Sequence, residues 1–212
     1  MKGHCFSSND FIKTNWGGGG ITSQIAIFPE NTSCKTQDFI WRVSSASVEE
    51  KETDFTIYPR YYRLIGPLDE SLELQHENGE KTVLFPGDIY AFDGNEKIHS
   101  RGICRDINVM FRKDSAEGTL QFLELTVGSE LRISAPLLPT VALSDCFMGV
   151  YCFCGTCSVE YSGDESKKLS ESTFLLLNEV GNEYLKICAE KSQVRLYIIS
   201  IRNKAKARRR NE

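Results

Sequence analysis

The 212-residue chain holds only three histidines, His4, His76 and His99, and no His-x-His pair. A metal centre built on clustered imidazoles has little material to draw on. Long apolar runs are also missing, and stretches such as 174–177 fall far short of the roughly 20 residues that cross a bilayer. Behind Met1 come His4, Ser7, Ser8, Asn9 and Asp10, where a secretory signal would need an apolar core of about 7 to 15 residues. The expectation is a cytoplasmic protein without a membrane partner. No Gly-x-Ser-x-Gly elbow occurs, and no signature links a cysteine to a histidine as nucleophile and base. Helical periodicity is nowhere sustained over ten residues.

What is present points to an ordinary globular chain. Apolar residues make up 41%, enough for one substantial core or two smaller adjoining ones. Eight cysteines are spread along it, and without an export signal reduced thiols are expected. The tightest group, Cys152-Phe153-Cys154-Gly155-Thr156-Cys157, could be completed to a zinc site only by Cys146 or Cys188. Its spacing is not that of two Cys-x-x-Cys knuckles, and Cys152 and Cys154 read instead as alternate positions of a strand. Gly17-Gly18-Gly19-Gly20 is followed by neither Lys-Ser nor Lys-Thr and sits in no parallel βαβ unit, so it matches a phosphate loop poorly. The run suits positive φ, or a close approach, on the way into a strand that begins at Thr22.

Net charge is −4, but the last twelve residues hold six Lys or Arg against Glu212. Without their +5 the body, residues 1–200, stands at −9. An acidic body does not suit nucleic acid, and the basic end, 204–212, reads as a solvated and disordered tail.

Short runs rich in β-branched and aromatic residues recur throughout. They predict strands over 22–28, 39–48, 55–58, 62–65, 72–76, 81–84, 89–92 and 103–112, with turns at Asn78-Gly79, Pro86-Gly87-Asp88 and Asp93-Gly94-Asn95. A second set covers 119–127, 130–134, 146–153, 158–161, 172–177, 184–188 and 194–201. The fold class is all-β, in two modules joined near 114–118.

Two of these strands carry polar side chains at alternate positions. In 103–112, Ile107, Val109 and Phe111 form one face and Asp106, Asn108, Met110 and Arg112 the other. In 39–48, Arg42 and Ser44 share a face with Ala46 and Val48. Periodicity alone favours a solvent-facing polar row on 103–112 and leaves 39–48 undecided. If both faces of the sheet are covered, the row lines a cavity, and an arginine there needs a carboxylate or an anionic ligand.

Trp16-Gly17-Gly18 with Thr22 and Gln24, Trp41-Arg42-Val43-Ser44 with Ala46 and Val48, Phe55, Pro59 and Arg63, and Asp106-Ile107-Asn108-Val109-Met110 resemble, in order and spacing, the HutD/Ves family of bacterial proteins. The resemblance covers about the first 112 residues. It implies a bicupin, two cupin-like β-barrels packed in one chain, here 1–113 and 114–203. It also implies a cytoplasmic setting linked to control of histidine breakdown or to stress response, and a small acidic ligand such as urocanate or formylglutamate. Two departures stand out. Pro59-Arg60 and Tyr62-Arg63 replace a Pro-Gly turn and an Asp-Arg pair, and Gln24 replaces a Glu, which removes a negative charge. Cupin enzymes hold metal with two or three histidines and a Glu; the turn Leu84-Phe85-Pro86-Gly87-Asp88 has no histidine at ligand spacing.

The expectation is therefore a metal-free, cofactor-free bicupin with a sensing or regulatory role. Its partners would be a small carboxylate-bearing metabolite and, for assembly, a second copy in a homodimer. Arg42 and Arg63 would grip the anion. Thr22, Gln24, Ser44 and Asn108 would supply neutral donors and acceptors, Asp106 would hold one arginine in place, and Met110 would form an apolar wall. The alternatives are an internal Arg–Asp pair that binds nothing, and an isomerase or hydrolase with Asp106 as general base.

Overall fold

Alternation of apolar and polar side chains lets each sheet press one face on a neighbour, and a sheet covered on both faces must be apolar on at least one of them. A computed structural model describes residues 1–16, 19–134, 145–163, 165–181 and 184–204. It holds nineteen strands among the described residues, numbered in chain order, and no α-helix. Among the described residues no helix is therefore long and apolar enough to cross a membrane. Gly17, Gly18 and the tail residues 205–212 lie outside the described residues.

Residues of the first half build two sheets. A six-stranded antiparallel sheet runs β2 (Ile12–Asn15), β3 (Gly20–Phe28), β4 (Trp41–Val48), β11 (Arg105–Arg112), β6 (Tyr61–Pro67), β9 (Tyr90–Asp93). A smaller one runs β5 (Glu52–Asp54), β10 (Ile98–Arg101), β7 (Leu72–His76), β8 (Lys81–Leu84). The second half repeats the plan. Five strands run β1 (Lys2–Phe6), β17 (Thr173–Asn178), β14 (Cys146–Cys154), β19 (Val194–Asn203), β12 (Ala116–Leu125), and four run β13 (Glu130–Ser134), β18 (Tyr184–Ala189), β15 (Cys157–Tyr161), β16 (Glu165–Leu169). The N-terminal strand thus completes a sheet of the second half, pairing Lys2 to Phe6 with Asn178 to Phe174. The ladders leave four open sheets, not the closed barrels expected from the sequence.

Three cores tie the sheets into layers. Trp41, Val43, Ile107, Val109 and Phe111 of the six-stranded sheet bury themselves against Phe147, Tyr151, Phe174, Tyr197 and Ile199 of the five-stranded sheet. Trp41 stacks on Phe28 at 5.6 Å and meets Phe147 edge-on at 5.0 Å. Aromatic pairs of this kind add about 0.5–1.5 kcal/mol each beyond area burial. A second core fills the space between the two second-half sheets, and a third, of Ile65, Leu72, Leu74, Leu84, Phe92 and Ile98, fills part of the space between the first-half sheets. The remainder of that first-half space is a cavity.

Most predicted strands are present, some with shifted ends. Residues 55–58 are not a strand; they form an extended connection after β5. Strands β1, β2, β5, β10 and β16 escape the alternation rule because they are short or largely exposed and carry polar residues on both faces.

Candidate functional site

Four neighbouring strands bring the polar positions together as rungs. Thr22 lies beside Ala46, and Ala46 beside Asp106. One step along, Gln24, Ser44, Asn108 and Ile65 stand in line. A further step places Arg42, Met110 and Arg63 side by side. Between Gln24 and Ala26 the register of β3 slips, with Ile25 as the extra residue. A bulge of this kind bends the strand and re-aims its side chains, and here Gln24 stays opposite Ser44.

These rungs line a cavity of about 420 Å³ between the six-stranded sheet and β5 with the connection that follows it. All eight residues singled out from the sequence line it: Thr22, Gln24, Arg42, Ser44, Arg63, Asp106, Asn108 and Met110. The solvent-facing reading of the polar rows is thereby set aside for Asp106, Asn108 and Met110, because the small sheet covers a face that periodicity left open. Exposure is 8% for Arg42, 9% for Arg63, 4% for Asp106 and 7% for Asn108. Ile12, Trp16 and Lys35 form an exposed rim. Trp16 is held there by its indole N–H, which donates to Thr22 Oγ1 at 2.9 Å.

The arginines are positioned by neutral groups. Arg42 Nε donates to Gln24 Oε1 at 3.0 Å, and Arg63 Nη1 to the Thr56 carbonyl at 3.2 Å. The Arg63 guanidinium lies over the neighbouring Phe55 and Phe92 rings, 4.9 Å from each centroid. Aromatic faces stabilise a desolvated cation by as much as about 2 kcal/mol. Burial lowers the Arg63 pKa to about 10, which leaves it charged at neutral pH. Its Nε and the Asn108 Oδ1 are buried without a hydrogen-bond partner among the described residues.

Asp106 does not hold either arginine directly. No ion pair or side-chain hydrogen bond joins it to Arg42 or Arg63, and Gln24 does the positioning assigned to it. Burial pushes the Asp106 carboxyl up to about 7, against the pull of the Arg63 charge and the Ala46 backbone amide. A buried acid that titrates near neutrality can hold or release a proton under ordinary conditions.

Several wall residues were not picked out by sequence reasoning. The Cys34 thiol and Tyr58 hydroxyl meet at 3.0 Å on the wall, and burial first, then Cys34, pushes the Tyr58 phenol up to about 12. Ala46 and Val48 also line the cavity and were legible, since they alternate with Arg42 and Ser44. Cys34 sits in a connection with no periodicity and left no signal.

Solved structures resemble the chain over nearly its whole length. The conserved protein of unknown function PA5104 from Pseudomonas aeruginosa PAO1 is 20% identical, with TM-score 0.81 over 95% of this chain and 100% of that one. HutD from Pseudomonas fluorescens SBW25 is 19% identical, with TM-score 0.73 over 96% and 100%. Oxalate decarboxylase from Bacillus subtilis, a cupin-fold protein described with Mn(II) centres, is 7% identical, with TM-score 0.60 over 94% and 77%. These likenesses show a cupin-like fold.

The cavity's donor set does not fit a histidine–carboxylate metal centre. Its two guanidinium groups repel a dication, and its lining contains no histidine. His76 is held by Tyr90 and Glu96, each at 2.9 Å, and His99 by Asp54 at 2.9 Å. Among the described residues no group of three or more His, Cys, Asp or Glu is placed to hold a metal ion. No curated protein sequence matches the chain. A family model for HutD matches residues 8–195, and the chain belongs to the HutD family.

Proposed function

We propose that this protein is a cytoplasmic bicupin, with halves 1–113 and 114–203 of which the first lends its N-terminal strand to the second, that binds a small carboxylate-bearing metabolite in its first half and acts as a sensor or regulator. The observation that carries the reading is a pair of buried arginines, Arg42 and Arg63, on one rung of one cavity, neither joined to a carboxylate among the described residues. Buried cations without counter-charge are costly, and an anion that reaches both removes the cost. A carboxylate matches the fork of a guanidinium with two parallel hydrogen bonds. Ser44, Asn108 and Thr22 would orient the rest of the molecule, and Met110 would give it an apolar surface. Membership of the HutD family suggests histidine utilisation or stress response as the setting for this role.

Thermal unfolding with a panel of imidazole acids and acyl-amino acids tests the reading. A ligand at about 100 times its dissociation constant adds roughly 2.7 kcal/mol and raises the transition temperature. Arg42→Ala should abolish the rise while leaving the fold intact. If no small acid shifts the wild type, and Arg42→Ala changes nothing, the binding reading fails.

The acid-base character of Asp106 supports a second reading, an isomerase or hydrolase with Asp106 as proton acceptor. Turnover of a panel member that disappears in Asp106→Asn would favour it.

A further inference from the structure

Arg42, Met110 and Arg63 form one rung of the cavity, and Asp106 lies four residues along β11 from Met110. At about 3.3 Å per residue the two ends are separated by about 13 Å at the backbone. The cavity therefore has a cationic end and an acidic end, with Ser44 and Asn108 between them. Asp106 makes no side-chain hydrogen bond to another side chain among the described residues, although it is 96% buried and lines the cavity. Ser45 donates to its backbone carbonyl at 2.7 Å, which fixes the strand, and the carboxyl group has the Ala46 backbone amide beside it but no side-chain partner among the described residues.

We propose that Asp106 selects the far end of the ligand, so that the site takes a monocarboxylate whose opposite end carries a neutral hydrogen-bond donor and discriminates against a dicarboxylate of the same length. The inference rests on the anion-binding reading above and adds to it the chemistry of the second end.

Charge balance inside the cavity leads to this choice. Two arginine cations are matched by one ligand carboxylate and one ionised Asp106. A dicarboxylate brings a second negative charge beside Asp106, and it fits only if Asp106 takes up a proton. A donor N–H or O–H instead meets the ionised carboxylate and forms a charge-assisted hydrogen bond. The other charged groups do not alter the balance at that end. On the cavity side, Lys35 and Asp54 are exposed at the rim, and Asp54 holds His99 at 2.9 Å. From behind, Asp69 is half-exposed and committed to the Arg105 guanidinium at 2.7 Å. Burial holds the Cys104 thiol up at about 12, and the Tyr197 phenol is pushed up and donates to the Pro67 carbonyl at 3.0 Å, so both stay neutral.

Three six-carbon acids matched in length test the proposal by calorimetric titration of the full chain: hexanoate, adipate and the monoamide of adipic acid. At pH 8 the monoamide should bind between about ten- and a hundredfold more tightly than adipate, and more tightly than hexanoate. As pH falls from 8 to 6 the adipate affinity should rise, because Asp106 then carries the proton that adipate requires. In Asp106→Asn the adipate affinity should no longer depend on pH over this range. If that variant does not fold, the wild-type pH profile carries the test alone. Equal binding of monoamide and adipate at pH 8, with no pH dependence, overturns the selective role of Asp106 and leaves the anion site standing. Binding of none of the three acids at millimolar concentration, together with an unresponsive panel in thermal unfolding, overturns both.

Discussion

At the centre of the six-stranded sheet, β4 and β11 turn Arg42, Ser44, Asp106, Asn108 and Met110 toward the small sheet that faces them. At the centre of the five-stranded sheet, β14, β17 and β19 turn Met148, Val150, Cys152, Leu175, Leu177, Leu196 and Ile198 toward theirs. Both sheets are antiparallel, both press their other face into the same shared core, and both have a four-stranded sheet over the inward side. Among the described residues one interior is lined by buried apolar side chains, and the other holds a cavity of about 420 Å³. The apolar half gains from burying apolar area, at roughly 25 cal/mol per Å². The open half gives up part of that gain to keep charged and amide groups dry. The difference teaches that the scaffold is stabilised by the second half and the shared core, while the first half is free to carry a site.

The strongest test of that division is a pair of truncations. Leu175 is fully buried in the second-half core, and Leu175→Ala should cost about 2–5 kcal/mol in urea unfolding, the range for a leucine removed from a packed interior. Ser44→Ala on the cavity wall should cost less than about 1 kcal/mol, since Ser44 makes no side-chain hydrogen bond among the described residues. Equal losses would break the comparison. Packing is tight enough in the second half that a Cβ added at Gly149 would sit 2.5 Å from the Phe174 ring.

A smaller effect comes from acid–base linkage. The Asp106 pKa rises from 3.8 in the unfolded chain to about 7 in the folded one, chiefly through burial. The folded state therefore binds the proton more strongly. This contribution is fully present below about pH 4, falls as the unfolded group ionises and is lost as pH rises through 7. The whole change is at most about 4 kcal/mol, from three units at 1.36 kcal/mol each. Stability measured from pH 4.5 to 8 should decline with pH in the wild type and decline less in Asp106→Asn. Among the described residues no carboxyl of the second half is buried, so none there carries a burial-raised pKa of this kind.

How much of this was legible follows from what alternation can and cannot say. Period-two spacing put Asp106, Asn108 and Met110 on one face and Arg42 with Ser44 on another, and the structure keeps both groupings. It could not say which face water reaches, because that depends on β5 and the connection after it, distant in sequence. The resemblance in four separate motifs supplied the missing side, and all eight residues do meet at one cavity. Contacts between long side chains stayed out of reach. An Arg–Asp pair was expected, but Gln24 takes Arg42 and two phenylalanine rings take Arg63. Phe55 and Tyr58 were expected on a strand, yet they lie on an irregular connection that folds over Arg63. Cys34 is brought to Tyr58 from a turn-rich segment whose course no local rule fixes.

The smallest expected effect is a gain. Asn108 sits on the middle rung with its Oδ1 buried and without a partner, and an unsatisfied buried polar atom costs about 1–3 kcal/mol. Asn108→Leu keeps the approximate size, removes that atom and gives the first half a residue of the kind that fills the second. Stability should rise by about 1 kcal/mol, seen as a higher urea midpoint at unchanged slope, while the thermal response to small acids weakens. A loss of stability would mean that the cavity wall already satisfies Asn108 through solvent. A gain with full ligand response would mean that the amide plays no part in recognition, and would confine the site to Arg42, Arg63 and Asp106.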